Sequence, residues 1–143
     1  MSLHGSYDTG NIFAKIIRGE IPAVKVFEDD QVLAFMDAFP QSRGHVLVIS
    51  KTSQARNLLE AETKTLGRLI GAVQKVTQAV TTALKPDGVV VTQFNGAPAG
   101  QTVFHLHFHI IPRYDGEALG RHGEGMADVE DLKALAEKIA AAL

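Results

Sequence analysis

Three histidines occupy alternate positions in Phe104-His105-Leu106-His107-Phe108-His109-Ile110-Ile111. A period of two belongs to a β-strand, whose successive side chains point to opposite faces. The three imidazoles are therefore expected on one face. Phe104, Leu106, Phe108 and Ile110 are expected on the other, where they can dock on a helix. At about 3.3 Å per residue, His105 and His109 lie roughly 13 Å apart with His107 between them. That row matches one phosphate group and its immediate neighbours. Adjacent imidazoles make a poor core, so the histidine face is expected to open onto a ligand.

Two chemistries suit such a row. His-x-His on a strand can place two nitrogens on one metal ion, and zinc accepts them at about 2.0–2.1 Å. A collinear row roughly 13 Å long cannot close around a single ion, so a distant residue would have to complete the set; His45 and Asp37 are the candidates. The other chemistry is nucleophilic. Imidazole, with an unperturbed pKa of about 6.5, attacks phosphorus near neutral pH without a strong base to activate it. One neutral ring would attack, and its neighbours would orient it and donate to phosphate oxygens. Three charged rings at this spacing would lower one another's pKa, which favours a mixed protonation state. Against both stands the plain reading of polar residues on a wet sheet face, which suits one histidine better than three in register.

The elements that must hold this row can be read from the chain. Ile12 to Ile17 forms a short helix, stopped by Gly19 and Pro22. Val24 to Phe27 and Val32 to Met36 form a hairpin across Glu28-Asp29-Asp30. A loop from Asp37 to Gly44 leads into a third strand, His45 to Lys51. From about 61 to 84, Leu66, Leu69, Ile70, Val73, Val76, Val80 and Leu84 mark a helical stripe, which ends at Lys85-Pro86-Asp87-Gly88. Gly88 to Phe94 is a fourth strand, Asn95 to Gly100 a tight loop, and the histidine strand the fifth. Residues 113–127, including His122, read as a loop. Asp128 caps a last helix with Leu132, Leu135 and Ile139 on one face. Hairpins with one long helix give an α+β domain with a mainly antiparallel five-stranded sheet. Residues 1–10 read as a flexible N-terminal tail, 11–113 as the domain, and 114–143 as a C-terminal loop and helix of that same domain.

Composition narrows the function. The chain has 143 residues, 45% apolar and 21% charged, which suits one soluble domain with a real core. Net charge is −2, from 14 basic and 16 acidic residues, so no basic field exists to hold long nucleic acid. Cysteine is absent, which removes disulfides and thiolate metal sites and fits a cytoplasmic setting. No apolar run approaches the roughly 20 residues of a membrane span, and the first residues do not have the form of a signal peptide.

His105-Leu106-His107-Phe108-His109-Ile110-Ile111 resembles the signature of the histidine triad (HIT) superfamily, in which three histidines alternate with apolar residues. Asn95 through Phe104 leads into it as in that family. Ile12 to Pro22 and Asp37 to Lys51 are similar to its Hint-like branch, which includes bacterial hydrolases. The resemblance spans roughly residues 11 to 113. It implies a hydrolase or transferase of nucleoside 5′-phosphate derivatives, such as a purine nucleoside phosphoramidase. His107 would attack the α-phosphorus and carry the nucleotidyl group. His105 and His45 would flank and orient it, and His109 would contact the phosphate near the leaving group. Asn95, Gln101 and Thr102 would touch phosphate oxygens, Asp37 the ribose hydroxyls, and Ile12, Phe13, Ile16 and Phe35 the base. A homodimer with one continuous sheet is also implied. Some members bind structural zinc through Cys-x-x-Cys; the matching positions here are Asn11 and Ala14, so no metal and no cofactor are expected beyond a divalent counter-ion of the substrate. The residues after Pro112 resemble longer bacterial relatives and leave the leaving group open. A dinucleoside polyphosphate hydrolase and a non-catalytic nucleotide-binding protein are the alternatives.

Overall fold

A computed structural model describes residues 2–120 and 125–143 of the chain. Five strands, β1 (Lys25–Glu28), β2 (Val32–Met36), β3 (Val46–Ser50), β4 (Gly88–Thr92) and β5 (His107–Arg113), form one sheet in the order β1-β2-β3-β5-β4. Every neighbouring pair is antiparallel. Three helices complete the fold: α1 (Ile12–Ile17), α2 (Thr63–Leu84) and α3 (Val129–Ala141). The order makes β5 an interior strand, held by ladders to β3 on one side and β4 on the other.

The sheet is covered on both faces, which explains why β2 and β3 are continuous apolar runs rather than alternating ones. Val32, Ala34, Met36, Val46, Val48 and Ile110 pack with Leu69, Val73, Val76 and Val80 of α2 and Leu132 and Ile139 of α3. Leu33, Phe35, Leu47 and Ile49 face the other way and pack with Phe13 and Ile16 of α1. Register then decides the histidine face: Leu47 stands opposite His109 and Ile49 opposite His107. His107 and His109 therefore lie on the α1 side, while Phe108 and Ile110 join the α2 side.

Several sequence expectations shift in detail. The β5 ladder begins at His107, so His105 precedes the strand instead of lying on it. His45 likewise sits one residue before β3, and β4 ends at Thr92. Ile70, assigned to the α2 stripe, is half exposed, because it lies one position round from Leu69. Residues 2–10, expected as a flexible tail, lie against the domain: Asn57 Nδ2 donates to Leu3 O (2.8 Å) and Ala97 N donates to Ser2 Oγ (2.9 Å). His122 falls outside the described residues. Among those described, no helix is long and apolar enough to cross a membrane.

Gly44 shows why the turn into β3 needs glycine. Its φ of +92° is strained for any residue with a side chain, and an added Cβ would sit 2.4 Å from Leu84 Cδ1 and 3.3 Å from Pro112 Cγ. The close approach seats the backbone just before β3 against the end of α2 and against β5.

Candidate active site

Four imidazoles converge where β3 and β5 meet α1. The expected open histidine face is corrected by burial. His45 and His105 keep 0% and 1% of their surface, while His107 and His109 keep 7% and 5%. The latter pair keeps more of its surface. The cover comes from α1 and the loop after β4. Phe13 stands edge-on to His107 at 4.9 Å between centroids, and Phe94 is tilted against His109 at 5.5 Å. The His107 and His109 rings lie 5.0 Å apart.

The hydrogen bonds assign the proton on each neutral ring. His105 Nε2 lies 2.9 Å from the Ser50 carbonyl, which can only accept, so Nε2 carries the hydrogen. His105 Nδ1 then accepts from the Tyr7 hydroxyl at 2.7 Å. Burial holds the His105 pKa below the ordinary histidine value, and the Ser50 carbonyl opposes that shift only in part. The carbonyl of His105 in turn accepts from His107 Nδ1 at 2.6 Å. The neutral His107 ring therefore carries its in-plane lone pair on Nε2, the atom a nucleophile needs.

A second chain of bonds sets His109. The Gln41 amide donates to His45 Nδ1 at 3.1 Å, which puts the His45 hydrogen on Nε2. That nitrogen lies 3.0 Å from His109 Nδ1, so His109 accepts there and carries its own hydrogen on Nε2. The pair of surface-reaching rings thus differs in character: His107 presents a lone pair and His109 a donor. Such an arrangement suits attack on an electrophile whose oxygens or leaving group need a hydrogen bond.

Asp37 is buried. Its Oδ1 accepts from the Phe39 amide at 2.8 Å, which makes the turn after β2, and its Oδ2 lies 3.5 Å from His45 Nε2. Asp37, His45 and His109 bring ligand atoms within 4.8 Å of one another, close enough for a cation. With the Gln41 amide on Nδ1, however, His45 presents an N–H toward that point, and a metal would have to displace it. The positions matching the Cys-x-x-Cys pair are occupied differently. Ala14 offers no ligand, and Asn11 Oδ1 caps α1 by accepting from the Ala14 amide at 2.9 Å.

The loop between β4 and β5 corrects one expectation. The Gln101 side chain, expected at phosphate, is buried and fully used inside the protein. Its Oε1 accepts from the Gly96 amide (2.8 Å), and its Nε2 donates to the carbonyls of Arg56 (2.7 Å) and Val103 (3.0 Å). It braces the loop and retains no further amide hydrogen for a ligand. Asn95 Oδ1 accepts from the Leu58 amide and from Gln93 Nε2, both at 2.9 Å. Thr102 is exposed. For the apolar slot, Ile12 is 45% exposed, whereas Phe13, Ile16 and Phe35 belong to the core beneath it. Phe13 links the two, since it also meets Phe35 edge-on at 5.5 Å.

Two residues escaped the sequence reading. Phe94 is placed by strand register, which the structure supplies: Thr92 stands opposite His109, so the residue two further on returns to the same side. Tyr7 had no signal in the sequence, because only the chain's return across the domain brings it to His105.

Comparison with known proteins gives the family and the fold. The HIT domain family model matches residues 18–116. A Hit-like protein of Bartonella henselae of solved structure superposes with a TM-score of 0.92 and 54% identity, covering 97% of this chain and all of the other. Protein hit of Bacillus subtilis is 42% identical over 133 residues, 90% of this chain and 91% of that protein. Adenosine 5′-monophosphoramidase hnt1 of Schizosaccharomyces pombe is 40% identical over 134 residues, 90% of this chain and 94% of that protein.

Proposed function

The chain belongs to the HIT family, and from that premise we propose that it hydrolyses purine nucleoside 5′-phosphoramidates through a nucleotidyl-histidine on His107. One observation carries the reading: the 2.6 Å bond from His107 Nδ1 to the His105 carbonyl, which directs the lone pair of the neutral ring to Nε2. The relation to the fission-yeast adenosine 5′-monophosphoramidase supports the substrate class.

In the first step His107 Nε2 bonds to the α-phosphorus as the phosphorus–nitrogen bond of the substrate breaks. The amine arrives N-protonated and departs with the bonding pair as a neutral molecule. The His107 ring becomes cationic, and the His105 carbonyl stabilises its Nδ1–H. His109 Nε2–H donates to a phosphate oxygen as charge develops there. In the second step water attacks phosphorus, the bond to His107 breaks, and the nucleoside monophosphate leaves while a proton passes to solvent. Ile12 and Phe13 would hold the base, and Thr102 would donate to phosphate. Asp37 would reach the ribose only by turning a carboxylate oxygen away from His45. No cofactor enters this scheme, and a divalent cation would serve only as a counter-ion.

The test is mass spectrometry of wild-type protein mixed with adenosine 5′-phosphoramidate and quenched in alkaline denaturant, because phosphorus–imidazole bonds break in acid. An adenylyl adduct on the peptide holding His105 to His109 is expected. His107→Ala should abolish the adduct and lower turnover by about 10³-fold or more. Wild-type-like turnover in that variant would remove the covalent step.

A further inference from the structure

We infer that Tyr7 is a positioning residue for the nucleophile, acting through His105; the inference rests on the reading of His107 given above. The His105 carbonyl sets the His107 tautomer, yet His105 lies outside the sheet. The last β3–β5 pair is Ile49 with His107, so no further rung holds the peptide beyond it. What holds His105 is its own ring, together with the Leu106 amide on the Ala55 carbonyl at 3.0 Å. Ring Nε2–H grips the Ser50 carbonyl at the end of β3, and ring Nδ1 is gripped by the Tyr7 hydroxyl. A ring with one bond can swing about it; a ring with two opposed bonds cannot.

The second grip comes from outside the matched domain, since Tyr7 precedes residue 18. The segment that carries it is itself fastened. Leu3 O takes Asn57 Nδ2, and Gly5 lies against the Arg56 guanidinium, where an added Cβ would stand 3.2 Å from Nη1. Arg56 is in turn held over the Phe104 ring, 4.9 Å from its centroid. Tyr7 and His105 also line a cavity of about 160 Å³ with Ala14, Lys51, Thr52 and Ser53. Water can reach the pair from there, so losing the hydroxyl would exchange a fixed donor for a mobile one.

The experiment is Tyr7→Phe in the full chain, which keeps the ring and removes only the hydroxyl. Two readouts are taken. Nitrogen-15 NMR of the ligand-free protein should show His107 as a single Nδ1–H tautomer in wild type and as a mixture in the variant. Turnover of adenosine 5′-phosphoramidate should fall about tenfold in kcat with KM within about twofold. An unchanged His107 tautomer overturns the inference whatever the rate does, and so does an altered tautomer with unchanged kcat. If wild type turns over no phosphoramidate, the proposed reaction fails, while the tautomer measurement still decides the role of Tyr7.

Discussion

A buried imidazole with both nitrogens engaged has little freedom to choose its proton. Ser50 and Tyr7 hold His105 in one neutral form, and Gln41 does the same for His45. His107 and His109 then inherit opposite characters from these two inner rings. The arrangement carries a pH consequence. Burial depresses the folded pKa of His105. Between that depressed value and the unfolded value of about 6.5, the unfolded chain binds a proton that the native chain does not. The stability from this group is therefore complete above about pH 6.5 and is lost as pH falls through the folded pKa. Urea midpoints measured from pH 8 to pH 5 are expected to decline below about 6.5, and His105→Gln should flatten that decline. An identical decline in the variant would assign the titration to another group.

At the scale of elements, the site depends on the approach of β3 to the end of α2. Gly44 makes that approach possible, because the space a Cβ would need is filled by Leu84 and Pro112. Gly44→Ala must adopt an unfavourable φ and also push these neighbours aside. It is expected to cost about 2–4 kcal/mol in urea unfolding and to displace His45. A loss below about 0.5 kcal/mol would mean that the turn relaxes without strain. Ladder position explains the unequal tethering of the histidines in the same way. His107 is held by pairing with β3 and His109 by pairing with both β3 and β4, whereas His105 needs side-chain bonds because the ladder has ended.

Across the whole molecule, α2 and α3 fill one face of the sheet and α1 with the N-terminal segment fills the other. The C-terminal helix belongs to the main core through Leu132, Ala136 and Ile139, with Leu135 only partly buried at its margin. The sheet edge at β4 is different. Val90 and Val91, on its two faces, are 41% and 44% exposed. An apolar edge strand is a template for pairing, and soluble proteins generally cover or charge such edges. The continuous-sheet homodimer that the family resemblance implies would place a second copy here. Sedimentation equilibrium at tens of micromolar should then give twice the 15.4 kDa chain mass. A single species at the chain mass would rule the dimer out.

Local periodicity was enough to read much of this chain. Alternation marked β5, three-and-four spacing marked α2, and Asp128 does cap α3 as expected. The kinship to histidine triad proteins was also legible, because it resides in contiguous residue types. Tertiary structure decided which histidines remain reachable, that Gln101 braces a loop, that Asp37 turns toward His45, and that Phe94 and Tyr7 join the site. Burial and hydrogen-bond partners are set by segments distant in sequence. Tyr7 and His105 are 98 positions apart, and no local pattern records where a chain will return.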